Sequence, residues 1–392
     1  MFADSFRRRM VPMYIAKFLR NIVFWYSVEK LFMSSIGFNN ETIALMVALY
    51  SATSILMEIP SGILADRWSR KGVLALAATS LLVSSVVGGF SNGIAIYLIS
   101  AIFWGFFDAL GSGTDDSIIY DTLVEERGNA DDFEKEYGLY NAVSGVALVI
   151  AGIAGGIVGQ NIGLRETYFL TIIPVLISIP VVLLFREPTF HKEGAQAKLL
   201  AHIKDTFTSI FRNPSLIWIL ITLFAIALAN GLPGEMHQLW FIALGAPIFV
   251  VGFASAIINS TWGFGGIVGR FLTSKRVVML SILTILACSI TLVVSRNVPV
   301  VITALFVLMI GANAIVIAMT AQLHRKLPSR VRSGASSAAN TLGRLINIPL
   351  ILFFGWVAQQ YSIFAASWII VALIVIGLIS ELGARHARTA IS

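Results

Sequence analysis

Twelve stretches of roughly twenty mostly apolar residues follow one another along this chain, and nothing else restricts its fold as strongly. They fall at 11–36, 41–62, 72–91, 93–117, 138–161, 166–186, 214–240, 247–269, 274–295, 298–323, 332–359 and 362–383. About 20 such residues let a helix cross the hydrocarbon core of a bilayer. A β-barrel would instead alternate weakly in segments of about ten. The expected fold class is therefore all-α and integral to a membrane, with 12 transmembrane helices. Composition points the same way: 57% of the 392 residues are hydrophobic and 12% charged, about half the charged share of a soluble domain. An ordinary cytosolic enzyme is excluded, and so is a disordered chain.

The connectors set the orientation. Of the 28 Lys and Arg residues, we place 22 in connectors on the side of the N-terminus and 2, Arg165 and Arg296, on the other. Lys17, Arg20, Lys30 and Arg344 fall inside spans. Cationic connectors stay in the cytoplasm, so both termini are expected there, in a multi-pass protein of the cytoplasmic (inner) membrane. The formal net charge of +7 reflects this topology and does not imply nucleic acid. No cleavable signal peptide is expected, because Arg7-Arg8-Arg9 leads into a run too long for a signal core. Asn40-Glu41-Thr42 is a glycosylation sequon in a very short loop, and we discount it.

The longest connector, Arg186 to Asn213, divides the chain into two sets of six spans. The expected units are 1–190, a cytoplasmic linker at 191–213 and 214–392. Apolar positions 199, 203, 207, 210 and 211 recur at helical spacing, so the linker is expected to hold an amphipathic helix on the membrane surface. A shift of 204 residues places Gly62-Ile63 on Gly266-Ile267 and Lys71 on Lys275. Two similar halves are the mark of a duplicated membrane transporter.

The loop after the second span reads Gly62-Ile-Leu-Ala-Asp66-Arg67-Trp-Ser-Arg70-Lys71. It resembles the G-x-L-x-D-R-x-G-R-[RK] loop of the major facilitator superfamily, departing only at Ser69, where Gly is usual. The preceding Glu58-Ile-Pro-Ser-Gly62 is similar to the E-I-P-[ST]-G run of many bacterial members. Ser112-Gly113-Thr114 with Tyr120-Asp121 resembles the end of the fourth span in that subgroup. The resemblance implies two six-helix halves related by a pseudo-two-fold axis, with spans 1, 4, 7 and 10 lining a central cavity. It implies that Gly62, Asp66, Arg67, Arg70, Lys71 and Asp121 form a cytoplasmic latch. Gly62 permits close helix approach. Asp66 would cap the eleventh span near Arg332–Ser336. Arg70 is long enough to reach Asp121. The bland alternative makes Arg67, Arg70 and Lys71 topology determinants alone. The second half carries Arg270 where Asp66 aligns, so a second latch is absent or rebuilt.

Ionisable residues inside spans are costly and are functional candidates by default. The first span holds Lys17, Arg20, Glu29 and Lys30. Glu29 and Lys30 sit near its outer end, within reach of water. Lys17 and Arg20 could snorkel to headgroups or face the cavity. Asp108, inside Phe106-Phe107-Asp108-Ala109-Leu110, is the sharpest candidate for proton coupling, or a counter-ion for Arg20 or Lys17. Asp115 and Asp116 are expected to be solvated. In the seventh span, Asn230-Gly-Leu-Pro233-Gly234-Glu235-Met-His237 should break the helix, and Glu235 and His237 titrate there or face external water. Arg344 lies mid-membrane in a polar stripe with Asn340 and Asn347; substrate contact and polar packing both explain it.

Trp25, Tyr26, Trp104 and Phe107, with Arg20, Asp108, Asn230, Asn313 and Arg344, are the expected substrate cavity. Phe103, Phe106 and Trp262 are further aromatics that could stack on a ligand or face lipid. Gly145, Gly152, Gly155, Gly156 and Gly159 form a small-residue face on the fifth span, suited to close packing. The lone Cys288 permits neither an internal disulfide nor a thiolate metal cluster. There is no G-x-x-x-x-G-K-[ST] loop and no H-E-x-x-H. The expectation is no enzyme, no cofactor, no metal and no nucleic acid, with lipid, a small solute and protons as partners of a monomer.

The subgroup implies alternating-access, proton-coupled efflux of drugs or metabolites. Two departures stand against it: Ala151-Gly152-Ile-Ala-Gly155-Gly156 lacks the proline of the usual G-P-x-x-G-G run, and Ala101-Ile-Phe-Trp104-Gly105 lacks the Arg and Gln of R-x-x-Q-G. Proton-coupled uptake is the alternative. A lipid flippase, a polytopic enzyme and a non-transporting sensor rank below.

Overall fold

A computed structural model describes residues 4–189, 214–269, 272, 274–326 and 329–389. Side chains at 214–215, 262–267, 275, 324–326, 329–341 and 384–389 are outside the description. So are the linker helix expected at 191–213, the side chains of Trp262 and Asn340, and the Arg332–Ser336 end that Asp66 was expected to cap.

All described regular structure is helical. In order it runs α1 Ser5–Asn21, a 3-10 turn Phe24–Ser27, α2 Glu29–Ser35, α3 Asn40–Arg67, α4 Arg70–Phe90, α5 Ile94–Gly111 and α6 Thr114–Arg127. Then come α7 Phe133–Asn161, α8 Leu164–Leu183, α9 Pro214–Ala243, α10 Ile248–Gly269, α11 Lys275–Val294, α12 Val298–Lys326, α13 Ser329–Gln360 and α14 Ile363–Thr389. Ten helical stretches among the described residues are long and apolar enough to cross a membrane, and Ile248–Thr261 is a shorter apolar one. Large apolar side chains such as Leu56, Leu184 and Val294 are more than 60% exposed. In water such a surface would aggregate; in lipid it is the expected outer face.

The chain forms two compact units, Met1–Glu193 with Pro247–Asn259, and Gly194–Ala246 with Ser260–Ser392. The first half of α10 therefore groups with the first unit. Small residues explain the grouping. A Cβ on Gly152 would stand 2.8 Å from the Ala256 Cβ, and one on Gly156 would stand 3.0 Å from the Gly252 Cα. The two backbones touch, as small-xxx-small faces allow. Gly145, on the same expected face, has no described atom within 4 Å of its Cβ position.

Three of the expected spans are corrected. The first is not continuous: α1 ends at Asn21 and the chain resumes as a helix at Glu29. The freed backbone groups are satisfied by neighbours, the condition for irregular chain at membrane depth. The Phe24 amide donates to Thr171 Oγ1 at 3.1 Å. Ser255 Oγ donates to the Ser27 carbonyl at 2.9 Å. The Phe24 carbonyl fits against Gly155, where a Cβ has no room. The fourth span breaks at Ser112-Gly113, where Gly113 takes φ +70, and continues as α6 to Arg127. The seventh span shows the opposite outcome. No break occurs at Pro233; α9 runs through it from Pro214 to Ala243. Proline is tolerated in a membrane-spanning helix that its neighbours support; one turn beyond it, His237 Nδ1 lies 3.2 Å from the carbonyls of both Pro233 and Gly234.

Candidate functional site

The break at Gly113 builds the inner site. It starts a new helix at Thr114, with Asp115 and Asp116 in its first turn, where the helix dipole favours carboxylates. Asp115 is not solvated, contrary to expectation: it is 6% exposed. Its two oxygens are shared by Lys17 Nζ at 2.8 Å and Arg20 Nη2 at 3.2 Å. Lys17 and Arg20 stand three residues apart on α1, hence on one face. Tyr140 on α7 donates to Asp115 Oδ1 at 2.9 Å, and Lys17 sits 4.9 Å from the Tyr140 ring centre. Asp115 is thus the anion for both cations.

Beside this cluster is a cavity of about 310 Å³. Lys17, Arg20, Phe107, Asp108, Asp115 and Asp116 are among the residues on its wall. Asp108 lies on α5, one turn before the break, and accepts a 2.5 Å hydrogen bond from Ser54 Oγ of α3. Tyr26 stacks on Trp104 with centroids 5.7 Å apart, and Trp104 meets Phe107 at 5.2 Å. These three are half-buried. Trp25 is not a cavity residue: it is 2% exposed, stacked on Tyr168 at 5.0 Å and bonded through Nε1 to Ser85.

A second polar group occupies the outer part of the same unit. Glu29 and Lys30 do not reach water; they are 7% and 3% exposed. Lys30 Nζ pairs with Glu29 Oε2 at 2.5 Å. Tyr97 donates to Glu29 Oε1 at 2.9 Å, and the Tyr97 and Tyr168 hydroxyls are 2.6 Å apart. The break in the first span creates this arrangement, because Glu29 opens α2.

In the loop between α3 and α4, Arg70 pairs with Asp121 and also donates to the Ser117 carbonyl at 3.2 Å. Both partners belong to the first unit, so this link joins α4 to α6 and does not bridge halves. Lys71 Nζ reaches the carbonyls of Leu183 and Phe185 at 3.1 and 3.0 Å, a cation at the C-terminal end of α8. Ser69, the departure from the family pattern, caps α4 by accepting from the Gly72 amide at 3.0 Å. It also donates to Glu187 Oε1 at 2.5 Å. Asp66 and Arg67 are exposed. Gly62 is exposed too, and among the described residues no atom lies within 4 Å of a Cβ there.

In the second unit, Asn230 Nδ2 donates to Asn313 Oδ1 at 2.9 Å, and Asn313 Nδ2 to the Thr261 carbonyl at 3.4 Å. Three expected cavity residues thus reduce to one pair here, Asn230 with Asn313, while Arg344 is half-buried on α13. Glu235 is half-buried; His237, 2% exposed, does not face external water.

Ser54, Tyr97, Tyr140 and Tyr168 were missed by sequence reasoning. Their only signal is generic: a buried charge needs a partner, and any hydroxyl on a neighbouring helix could supply it. Among the described residues no group of three or more His, Cys, Asp or Glu side chains converges as a metal site would.

A sequence model of the Major Facilitator Superfamily matches residues 10–349. The MFS-type transporter YxaM of Bacillus subtilis (strain 168) is 24% identical over 59% of this chain and 59% of its own length. The class H tetracycline resistance protein of Pasteurella multocida is 24% identical over 50% of this chain and 48% of its own. The chain thus spans only about half to three-fifths of the length of these curated relatives. The crystal structure of the nucleoside transporter NupG superposes with a TM-score of 0.72 at 16% identity, covering 96% of this chain and 98% of that one. At that identity the likeness speaks for the fold alone. The chain belongs to the Major Facilitator Superfamily, and its fold is that of its transporters.

Proposed function

We propose that this superfamily member is a secondary active transporter of the bacterial cytoplasmic membrane that exports drugs or metabolites in exchange for protons, with Asp108 as the coupling carboxyl. The observation that carries the reading is the position of Asp108. It stands on the wall of the inner cavity, bonded to the neutral Ser54 hydroxyl, while Asp115 holds Lys17 and Arg20. A carboxyl there changes the charge of the wall by one unit when it binds a proton. Phe107 on the wall, continuing into Trp104 and Tyr26, offers an aromatic surface to an amphipathic solute. The likeness to a tetracycline resistance protein supports export of such solutes. Glu29 and Glu235 are secondary proton carriers in this reading. The loop carrying Asp66, Arg67 and Lys71 acts as the cytoplasmic latch in this reading, and the Arg70–Asp121 pair braces that loop within the first unit. The protein works as a monomer with both termini in the cytoplasm.

Proteoliposomes with an internal pH dye test this. They are challenged with tetracycline, cationic dyes and anionic metabolites under an imposed proton gradient. At least one compound should discharge the gradient, and Asp108→Asn should abolish the discharge while the protein still folds. If compounds cross without moving protons, the coupling claim fails. If solute and protons move in the same direction, uptake replaces export.

A further inference from the structure

The second unit holds two buried amide oxygens that accept no hydrogen bond from any described residue: Asn230 Oδ1 on α9 and Asn347 Oδ1 on α13. Such groups are rare in folded proteins, and each calls for an explanation. Asn230 is 6% exposed, so bulk water does not supply one. The two lie on adjoining helices. A Cβ on Gly231, the residue after Asn230, would stand 3.6 Å from Asn347 Oδ1.

The chemistry of the Asn230 atom is fixed by its neighbours. The Thr261 carbonyl can only accept, so Asn313 must turn its Nδ2 toward it. That turns Asn313 Oδ1 toward Asn230, which must answer with its own Nδ2. Asn230 Oδ1 is left as an acceptor with no alternative orientation. The relay from α10 through α12 to α9 thus presents an acceptor, and Asn347 supplies a second from α13. What satisfies them must bring donors. The nearest ionisable side chains in sequence are Glu235, one turn beyond Gly231, and Arg344, one turn before Asn347; they have opposite charge, so the pair gives neither sign a net advantage.

We propose that Asn230 and Asn347 form a ligand subsite that binds the hydroxyl or N–H donors of a neutral polar solute. This rests on the reading of the chain as a small-solute transporter and adds the class of group recognised in its second unit. It is independent of proton coupling through Asp108.

The test is equilibrium binding to the full-length protein in detergent, at constant pH and without a gradient. The probes are tritiated uridine and tritiated myo-inositol, competed by their unlabelled forms and by their O-methylated derivatives (the uridine one methylated at N3 as well), which lose every O–H and N–H donor. At least one hydroxylated probe should bind with Kd below about 1 mM, and its O-methylated form should fail to compete. Asn347→Leu should weaken binding at least about tenfold, because it removes an acceptor and leaves a side chain of similar size. The O-methyl comparison needs no variant, so a poorly folding Asn347→Leu does not remove the test. The proposal is overturned if neither probe binds, if the O-methylated forms compete equally, or if folded Asn347→Leu binds like the parent; in the last case the two oxygens hold structural water only. Binding here with no proton movement in the proteoliposomes would sink the export reading and leave the subsite standing.

Discussion

The two units bury polar groups in different ways. In the first, the interior is ionic: Asp115 between Lys17 and Arg20, Glu29 against Lys30, each joined by a tyrosine hydroxyl. In the second, the buried relay from Asn230 to Asn313 to the Thr261 carbonyl is made of neutral amides. In the proposed reading the contrast separates two tasks. A carboxylate changes charge when it takes a proton, which is the property that reading assigns to the first unit. An amide keeps its donor and acceptor pattern at every physiological pH, so in the proposed reading the amides of Asn230 and Asn347 recognise hydrogen-bonding groups without themselves being titrated. Buried ions also cost far more to disturb than buried amides.

The largest effect tests that cost. Asp115→Ala leaves two cations facing each other without their anion, and removing one partner of a buried pair costs about 3–5 kcal/mol. Thermal unfolding in detergent, followed by size-exclusion fluorescence, should show most of the protein lost. Combining Asp115→Leu with Lys17→Met and Arg20→Met should recover most of the stability. A parental melting temperature for Asp115→Ala would mean the cluster is not energetically closed, and the ionic half of the contrast falls.

Next comes Glu29→Gln. It keeps an acceptor for Tyr97 and deprives Lys30 of its counter-charge, so a loss of about 1.5–3 kcal/mol is expected. Tyr168→Phe, which touches the same network through one neutral hydroxyl, should cost about 0.5–1.5 kcal/mol. Equal losses for the two would erase the distinction between charge and hydroxyl.

Asn313→Leu in the second unit leaves Asn230 Nδ2 without its acceptor, at about 1–3 kcal/mol. That penalty should be the same at pH 5.5 and pH 8. A marked pH dependence would show that a titrating neighbour acts on the relay. The smallest effect is Ser69→Gly, which restores the residue usual in the family loop. Replacing a cap by glycine costs a few tenths of a kcal/mol, and the lost bond to Glu187 adds about 1 kcal/mol. A large loss at Ser69 would mean that the loop, and not the buried clusters, dominates the first unit.

Particular residues show what the chain made readable. The pairing of Arg70 with Asp121 is legible from the loop motif and the end of the fourth apolar run, because Arg70 opens α4 and Asp121 follows a run whose end hydropathy fixes. For Lys17 and Arg20 the sequence offers headgroups, the cavity or Asp108, and it reads Asp115 as solvated; the structure pairs both with Asp115. Asp108 lies deeper in the apolar run, whereas Gly113 turns the chain so that Asp115 meets both cations. Pro233 and its two neighbouring glycines looked like a helix breaker, and the helix runs through them. The break in the first span, at Ile22–Val28, carries no Pro or Gly. It depends on Thr171, Ser255 and the notch at Gly155, residues far away in sequence.

The sequence alone determined the solvent, the helical class, the number of apolar segments and the family, because those follow from hydropathy, connector charge and one loop motif. Tertiary structure decided which acid answers which cation, where helices break, that Glu29, Lys30, Asp115 and His237 are buried, and that the second unit buries two amide oxygens with no donor among the described residues. Local composition sets what a segment is dissolved in. Inside a membrane every polar group must then find a partner across helices, and that choice is made by packing between segments that the linear order does not place together.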